Sequence, residues 1–98
     1  MISTEYVAIK PDEKELLLTI ELGIPELDPI SGMSDYRCKF SAPALGIDEY
    51  IYGVDAIQSH CMTLKRLRLL FDDLISKGWK FYFPGHLDME VDIMSILF

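Results

Sequence analysis

Asp55-Ala56-Ile57-Gln58-Ser59-His60-Cys61-Met62-Thr63-Leu64-Lys65-Arg66-Leu67-Arg68-Leu69-Leu70-Phe71-Asp72-Asp73-Leu74-Ile75-Ser76-Lys77-Gly78 is the stretch whose reading decides the fold. Asp55-x-x-Gln58 has capping-box spacing: the aspartate carboxylate accepts from the Gln58 amide, and the glutamine side chain reaches back. At the other end Gly78 is placed to close a helix in a left-handed conformation, and the Lys77 cation suits the negative end of the helix dipole. Between these ends, at about 100° per residue, Ile57, Cys61, Leu64, Leu67, Phe71 and Ile75 gather on one stripe. Val54, Ala56 and Leu74 flank it, and Asp55, Ser59, Arg66, Asp73 and Lys77 take the opposite side. The pattern predicts one α-helix over 55–77, its apolar stripe sealed by a sheet. Some 22 residues make a rod of roughly 33 Å. A strand of ordinary length spans only about 17–20 Å, so the helix is expected to lie diagonally or to overhang.

The sheet is expected from the N-terminal half. Thr4–Lys10 reads as a first strand, followed by turn chemistry in Pro11-Asp12-Glu13. From Glu15 to Ile24, the residues Leu16, Leu18, Ile20, Leu22 and Ile24 alternate with Leu17, Thr19, Glu21 and Gly23, the period of a half-buried strand. Pro25 and Pro29 bracket a loop that Ile30 and residues 31–34 extend. A third strand sets Tyr36, Cys38, Phe40 and Ala42 against a polar, basic side of Asp35, Arg37, Lys39 and Ser41, with Glu21 as its expected cross-strand partner. Residues 47–52 suit a short fourth strand and 79–83 a fifth. Residues 87–98 are ambiguous in period and lean towards a short helix. The expected class is α+β in two layers: an antiparallel meander of three to five strands on the long helix, with a short C-terminal element.

The 98 residues are one small domain, half hydrophobic and about a quarter charged. Nine bases against sixteen acids leave a net charge of −7. An acidic body repels nucleic acid and anionic lipid and steers basic partners. No apolar run is long enough to span a membrane and no secretory leader is visible. Cys38 and Cys61, without a C-x-x-C motif, read as reduced, buried thiols of a cytoplasmic protein.

Catalytic chemistry is sparse. His60 and His86 show no metal-ligand spacing, and His60 reads as a core or boundary histidine. A metal site from Cys38, His60, Cys61 and His86 would need all four to converge. No glycine-rich phosphate loop precedes a helix, and the acids of Asp88-x-Glu90-x-Asp92 lack the glycine and distal glutamate of a calcium loop. No cofactor is called for and no enzyme is indicated. Arg68 is expected to lie beside the stripe, its stem covered and its head paired with Asp72 one turn on. Its alternative role is to aim at a carboxylate or phosphate in a crevice beside the helix. Met62, Leu69 and Leu70 fall away from the stripe, and Tyr50, Tyr52, Trp79, Tyr82, Met89, Ile93, Met94 and Phe98 add further apolar surface. Either the C-terminal segment or another chain must cover them.

Glu21-Leu22-Gly23-x-Pro25, Tyr36-x-Cys38, the box Tyr52-Gly53-Val54-Asp55-Ala56-x-Gln58, the Gly78-to-Pro84 segment and Gly85-x-x-Asp88 resemble a family of small bacterial domains of unknown function, over roughly residues 5–88. That family usually continues the box with Ala-Leu and other aliphatic residues, where this chain has Ser59-His60-Cys61. The resemblance implies a strand-rich front half followed by one helix, and no catalytic residues. The box also has a purely structural reading, in which Gly53 allows close backbone approach and Asp55 caps.

Two functions are therefore expected to compete. One is a non-enzymatic protein-interaction module with a protein partner or a second copy, for instance an immunity- or antitoxin-like protein masking a basic partner. The other is a small-ligand-binding or enzymatic domain with a crevice beside the helix near Arg68, His60 and Tyr52. The candidate contact residues are Tyr52, Asp55, His60, Met62, Arg68 and Leu69.

Overall fold

The computed structural model describes residues 1–30 and 35–98, so the expected loop residues 31–34 lie outside it. Seven strands form one sheet: β1 (Ile2–Ile9), β2 (Leu16–Leu22), β3 (Glu26–Leu27), β4 (Tyr36–Ala42), β5 (Ile47–Gly53), β6 (Lys80–Tyr82) and β7 (Glu90–Val91). All described strand pairs are antiparallel. A long helix α1 (Ala56–Ser76) packs on one face, and a short α2 (Ile93–Leu97) follows β7. The two-layer α+β class expected from the sequence is thus observed, and the C-terminal segment contributes both a short strand and a short helix.

The punctuation of α1 matches its sequence. Asp55 caps it from an extended backbone and accepts from the Gln58 amide at 2.7 Å, while Gln58 Oε1 accepts from the Val54 amide at 2.7 Å. Gly78 adopts φ +96°, its amide donating to Ile75 and that of Trp79 to Leu74. That pair of bonds is a Schellman closure, and a side chain at Gly78 would be strained.

The problem of a helix longer than its strands is solved by stagger. β1 and β2 pair over seven residues, as do β4 and β5, but β2 meets β4 only at Glu21↔Ser41 and Leu22↔Phe40. The two hairpins are therefore displaced along the strand direction, and the molecule extends 48 × 24 × 23 Å. Gly23 makes the joint: its amide donates to the Lys39 carbonyl at 2.8 Å, and a Cβ there would stand 2.9 Å from the Lys39 Cβ. α1 descends from the end of β5 across both hairpins and ties them together.

Its buried face is not the stripe read from hydropathy. Ser59, Thr63, Leu67, Leu70, Phe71 and Leu74 are buried, whereas Ile57 is 77% exposed and Cys61, Leu64 and Ile75 are also exposed. Against the expected stripe, the helix is turned by about a quarter of a revolution, at 100° per residue. Two physical facts account for it. Gly53 lets the helix backbone in so closely that a Cβ at that position would stand 2.4 Å from the Ser59 nitrogen, so only small side chains fit the contact. The hydroxyls buried there are satisfied within the helix, Ser59 donating to Ala56 and Thr63 to Ser59. Burial then costs them little. Farther along, Phe71 meets Tyr6 and Phe81 edge-on, at 5.9 and 5.1 Å between ring centres, inside a core of Ala8, Leu18, Ile20 and Ile93.

The third strand buries Cys38, Phe40 and Ala42 as expected. Its basic side pairs otherwise than expected. Glu21 sits opposite Ser41, while Arg37 takes Glu26 and Asp28, and Lys39 takes Asp48. At the end of the second strand Ile24 is exposed. The surplus apolar residues divide: Leu70 and Ile93 are buried and Trp79, Tyr82 and Met94 half-buried, but Met62, Leu69, Tyr50, Tyr52, Met89 and Phe98 remain exposed.

Candidate functional site

β5 follows a hairpin turn from β4 and is an edge strand. Hydrogen bonding in an antiparallel pair alternates, so the orientation of one residue fixes that of its neighbours. The Lys39 carbonyl accepts from Gly23 on the β2 side of β4 and therefore faces away from β5. Lys39↔Tyr50, Arg37↔Tyr52 and Ser41↔Asp48 are then pairs without mutual backbone bonds. It follows that the backbone N–H and C=O groups of Asp48, Tyr50 and Tyr52 point outwards, unpaired among the described residues.

The side chains around this edge come from two layers. On the sheet face opposite the helix stand Tyr50 and Tyr52. The Arg37 guanidinium lies 3.9 Å from the centre of the Tyr50 ring, and the Lys39 ammonium 4.8 Å. Burial pulls the Arg37 guanidinium down, but its hydrogen bond to Glu26, at 2.8 Å, and the nearby tyrosines leave it above its ordinary value. The hydrogen bond to Asp48 raises Lys39. Both cations are thus committed to acids already present. On the helix side, Arg66 reaches Glu49 of β5 at 2.8 Å. Met62, one turn before Arg66, and Leu69, one turn after it, continue that flank and are exposed. Of the acids on β5, Asp48 is paired with Lys39 and Glu49 with Arg66, while Asp55 caps α1 at the end of the strand.

The candidate contact residues therefore separate into two groups. Tyr52 and Met62 flank the β5 edge, with Asp55 at its end, where the carboxylate is occupied as a helix cap; Leu69 is exposed farther along α1, past the contact with β5. His60 and Arg68 lie on the other flank of α1, and Tyr52 lies on the far face of the sheet, so these three share no crevice. His60 is exposed rather than a core or boundary residue, because that flank faces past β4, beyond the ends of β1 and β2. Arg68 is exposed and makes no ion pair with Asp72; its guanidinium stands 5.9 Å from the centre of the Phe98 ring.

Cys38 is buried as expected, with its sulfur 3.5 Å from the Ser59 hydroxyl, whereas Cys61 is exposed, against the expectation of a buried thiol. Among the described residues no three His, Cys, Asp or Glu side chains are grouped to hold a metal ion. No described helix is long and apolar enough to cross a membrane. Sequence reasoning found a strand in residues 47–52 but missed that β5 is an edge, since edge status depends on sheet order and not on the strand's own residues.

No protein-family model matches the chain, and no curated protein or solved structure matches it either. The likeness read from Glu21–Pro25, Tyr36-x-Cys38, Tyr52–Gln58 and the 78–88 segment rests on those sequence pieces alone.

Proposed function

We propose that this chain is a non-enzymatic protein-interaction domain that takes an extended, basic segment of a partner protein against the outer edge of β5. The supporting observation is the row of backbone groups at Asp48, Tyr50 and Tyr52, unpaired among the described residues, on a strand of seven residues. An open edge of that length is a template for strand addition, in which main-chain bonds supply affinity and alternate side chains supply specificity. Tyr50 and Tyr52 on one side and Met62 on the other offer aromatic and apolar contact to the added strand. The net charge of −7 favours a cationic segment. An immunity- or antitoxin-like role, masking a basic surface of the partner within the cytoplasm, is the concrete form of this reading.

The test is a titration of isotope-labelled protein with a short alternating Lys/Val peptide, followed by amide NMR. The amides of Asp48, Tyr50 and Tyr52 should shift and exchange more slowly, and the effect should weaken as salt rises. Tyr50→Pro removes one outward donor without touching the β4 ladder and should abolish the response. Shifts centred elsewhere, or none, overturn the proposal. So does a light-scattering mass of two chains that Tyr50→Pro returns to one, because the edge would then belong to a second copy.

A further inference from the structure

The stagger of the two hairpins leaves a notch on the helix side of the sheet, above the ends of β1 and β2 and beside the exposed flank of α1. A groove of about 320 Å³ lies there. Leu64, Leu67 and Phe71 of α1 form one wall, Ile20 and Leu22 of β2 the floor, and Phe98 closes the far side. Thr4 and Tyr6 bring the only polar side chains on its described walls. The groove therefore suits hydrocarbon, and its size, at the lower end for ligand pockets of roughly 300–1,000 Å³, suits a single chain better than a ring system.

A charge stands just outside the groove, over the Phe98 ring that closes it. Arg68 follows Leu67 and lies one turn from both Leu64 and Phe71, with its guanidinium over the Phe98 ring. In a chain with sixteen acids against nine bases, this arginine pairs with none of the described acids, and Asp72 one turn on is not within ion-pair distance. A planar guanidinium presents two parallel donors that match a carboxylate. We infer that the groove beside α1 binds a free aliphatic carboxylate, with its hydrocarbon tail between α1 and the ends of β1 and β2 and its head on Arg68. This site lies on the opposite flank of α1 from the β5 edge and stands or falls separately from the reading given to that edge.

Isothermal titration with octanoate, decanoate and dodecanoate, each as monomer, tests it, with 1-dodecanol and acetate as controls. Affinity should rise roughly two- to fourfold per added methylene, as apolar surface enters the groove. Acetate should not bind. Arg68→Gln should weaken dodecanoate roughly tenfold and leave dodecanol unchanged, since only a charge-assisted bond is lost. Leu64→Glu, at a position already 38% exposed, should abolish both while circular dichroism stays native. Methyl and aromatic NMR shifts should centre on Leu64, Phe71 and Phe98, which separates this site from Asp48–Tyr52. The inference is overturned by a flat chain-length series, by Arg68→Gln binding dodecanoate as well as the unaltered chain, or by binding only to anionic vesicles. It is also overturned if the chain is a dimer that Leu64→Glu dissociates and no carboxylate binds, for the groove is then covered by a second copy.

Discussion

Where α1 crosses the β4–β5 hairpin it presents Ser59 and Thr63, and where it crosses β1, β2 and β6 it presents Leu67, Leu70, Phe71 and Leu74. Both contacts are dry, with Ser59 and Phe71 each 0% exposed. Their chemistry is opposite. The first is a close approach of backbones, made by Gly53 and by hydroxyls that bond to their own helix. The second is a volume filled by large side chains, with the Phe71 ring set edge-on between Tyr6 and Phe81. The upper contact sets where the helix lies, and the lower one supplies most of the apolar burial that stabilises it.

Phe71→Ala attacks the lower contact and carries the largest expected effect. Removing a fully buried phenylalanine costs about 3–5 kcal/mol, a large share of the roughly 5–15 kcal/mol by which a small domain is stable. The denaturant midpoint should fall sharply, or the chain should fail to fold. Gly53→Ala attacks the upper contact. A methyl there meets the backbone of Ser59 rather than a movable side chain, so the helix start must shift, at about 1–3 kcal/mol. Its amide NMR shifts should cluster around Cys38, Ser59 and Thr63 and leave Tyr6 and Phe81 largely undisturbed. Equal costs for the two substitutions, or a shift pattern from Gly53→Ala spread over both contacts, would erase the distinction between them.

The same contrast explains what the sequence disclosed. Asp55, Gln58 and Gly78 mark the helix ends through bonds to neighbouring backbone, so their meaning is local and readable. The alternation of Leu16–Leu22 and Tyr36–Ala42 is equally local. The face of α1 was not readable by hydropathy, because at its upper contact the buried residues are polar and their hydroxyls are satisfied one turn back. The stagger was hidden as well, being set by a joint of two residue pairs and a close approach of Gly23 to Lys39, residues distant in the chain. The candidate site depends on both. Tyr52 and Met62 could be named, but that they flank an open edge follows only from sheet order, and Arg68 stands beside a groove, over Phe98, only because the hairpins are displaced.

Ile57 is the sharpest probe of the turned helix, with the smallest expected effect. It stands on the apolar stripe with Leu64 and Phe71, and a helix sealed along that stripe would lose several kcal/mol on its replacement by a polar residue. In the structure it is 77% exposed, two residues past the cap and directed beyond β4. Ile57→Gln should therefore change stability by no more than about 0.5 kcal/mol, as surface substitutions do. The sign should be slightly stabilising, since an unbranched glutamine is a better helix former than isoleucine. Equilibrium unfolding in urea, compared with Phe71→Ala under the same conditions, measures both ends of the stripe at once. A cost for Ile57→Gln approaching that of Phe71→Ala would place the buried face where hydropathy alone puts it, and the close seat of Ser59 on Gly53 would be wrong.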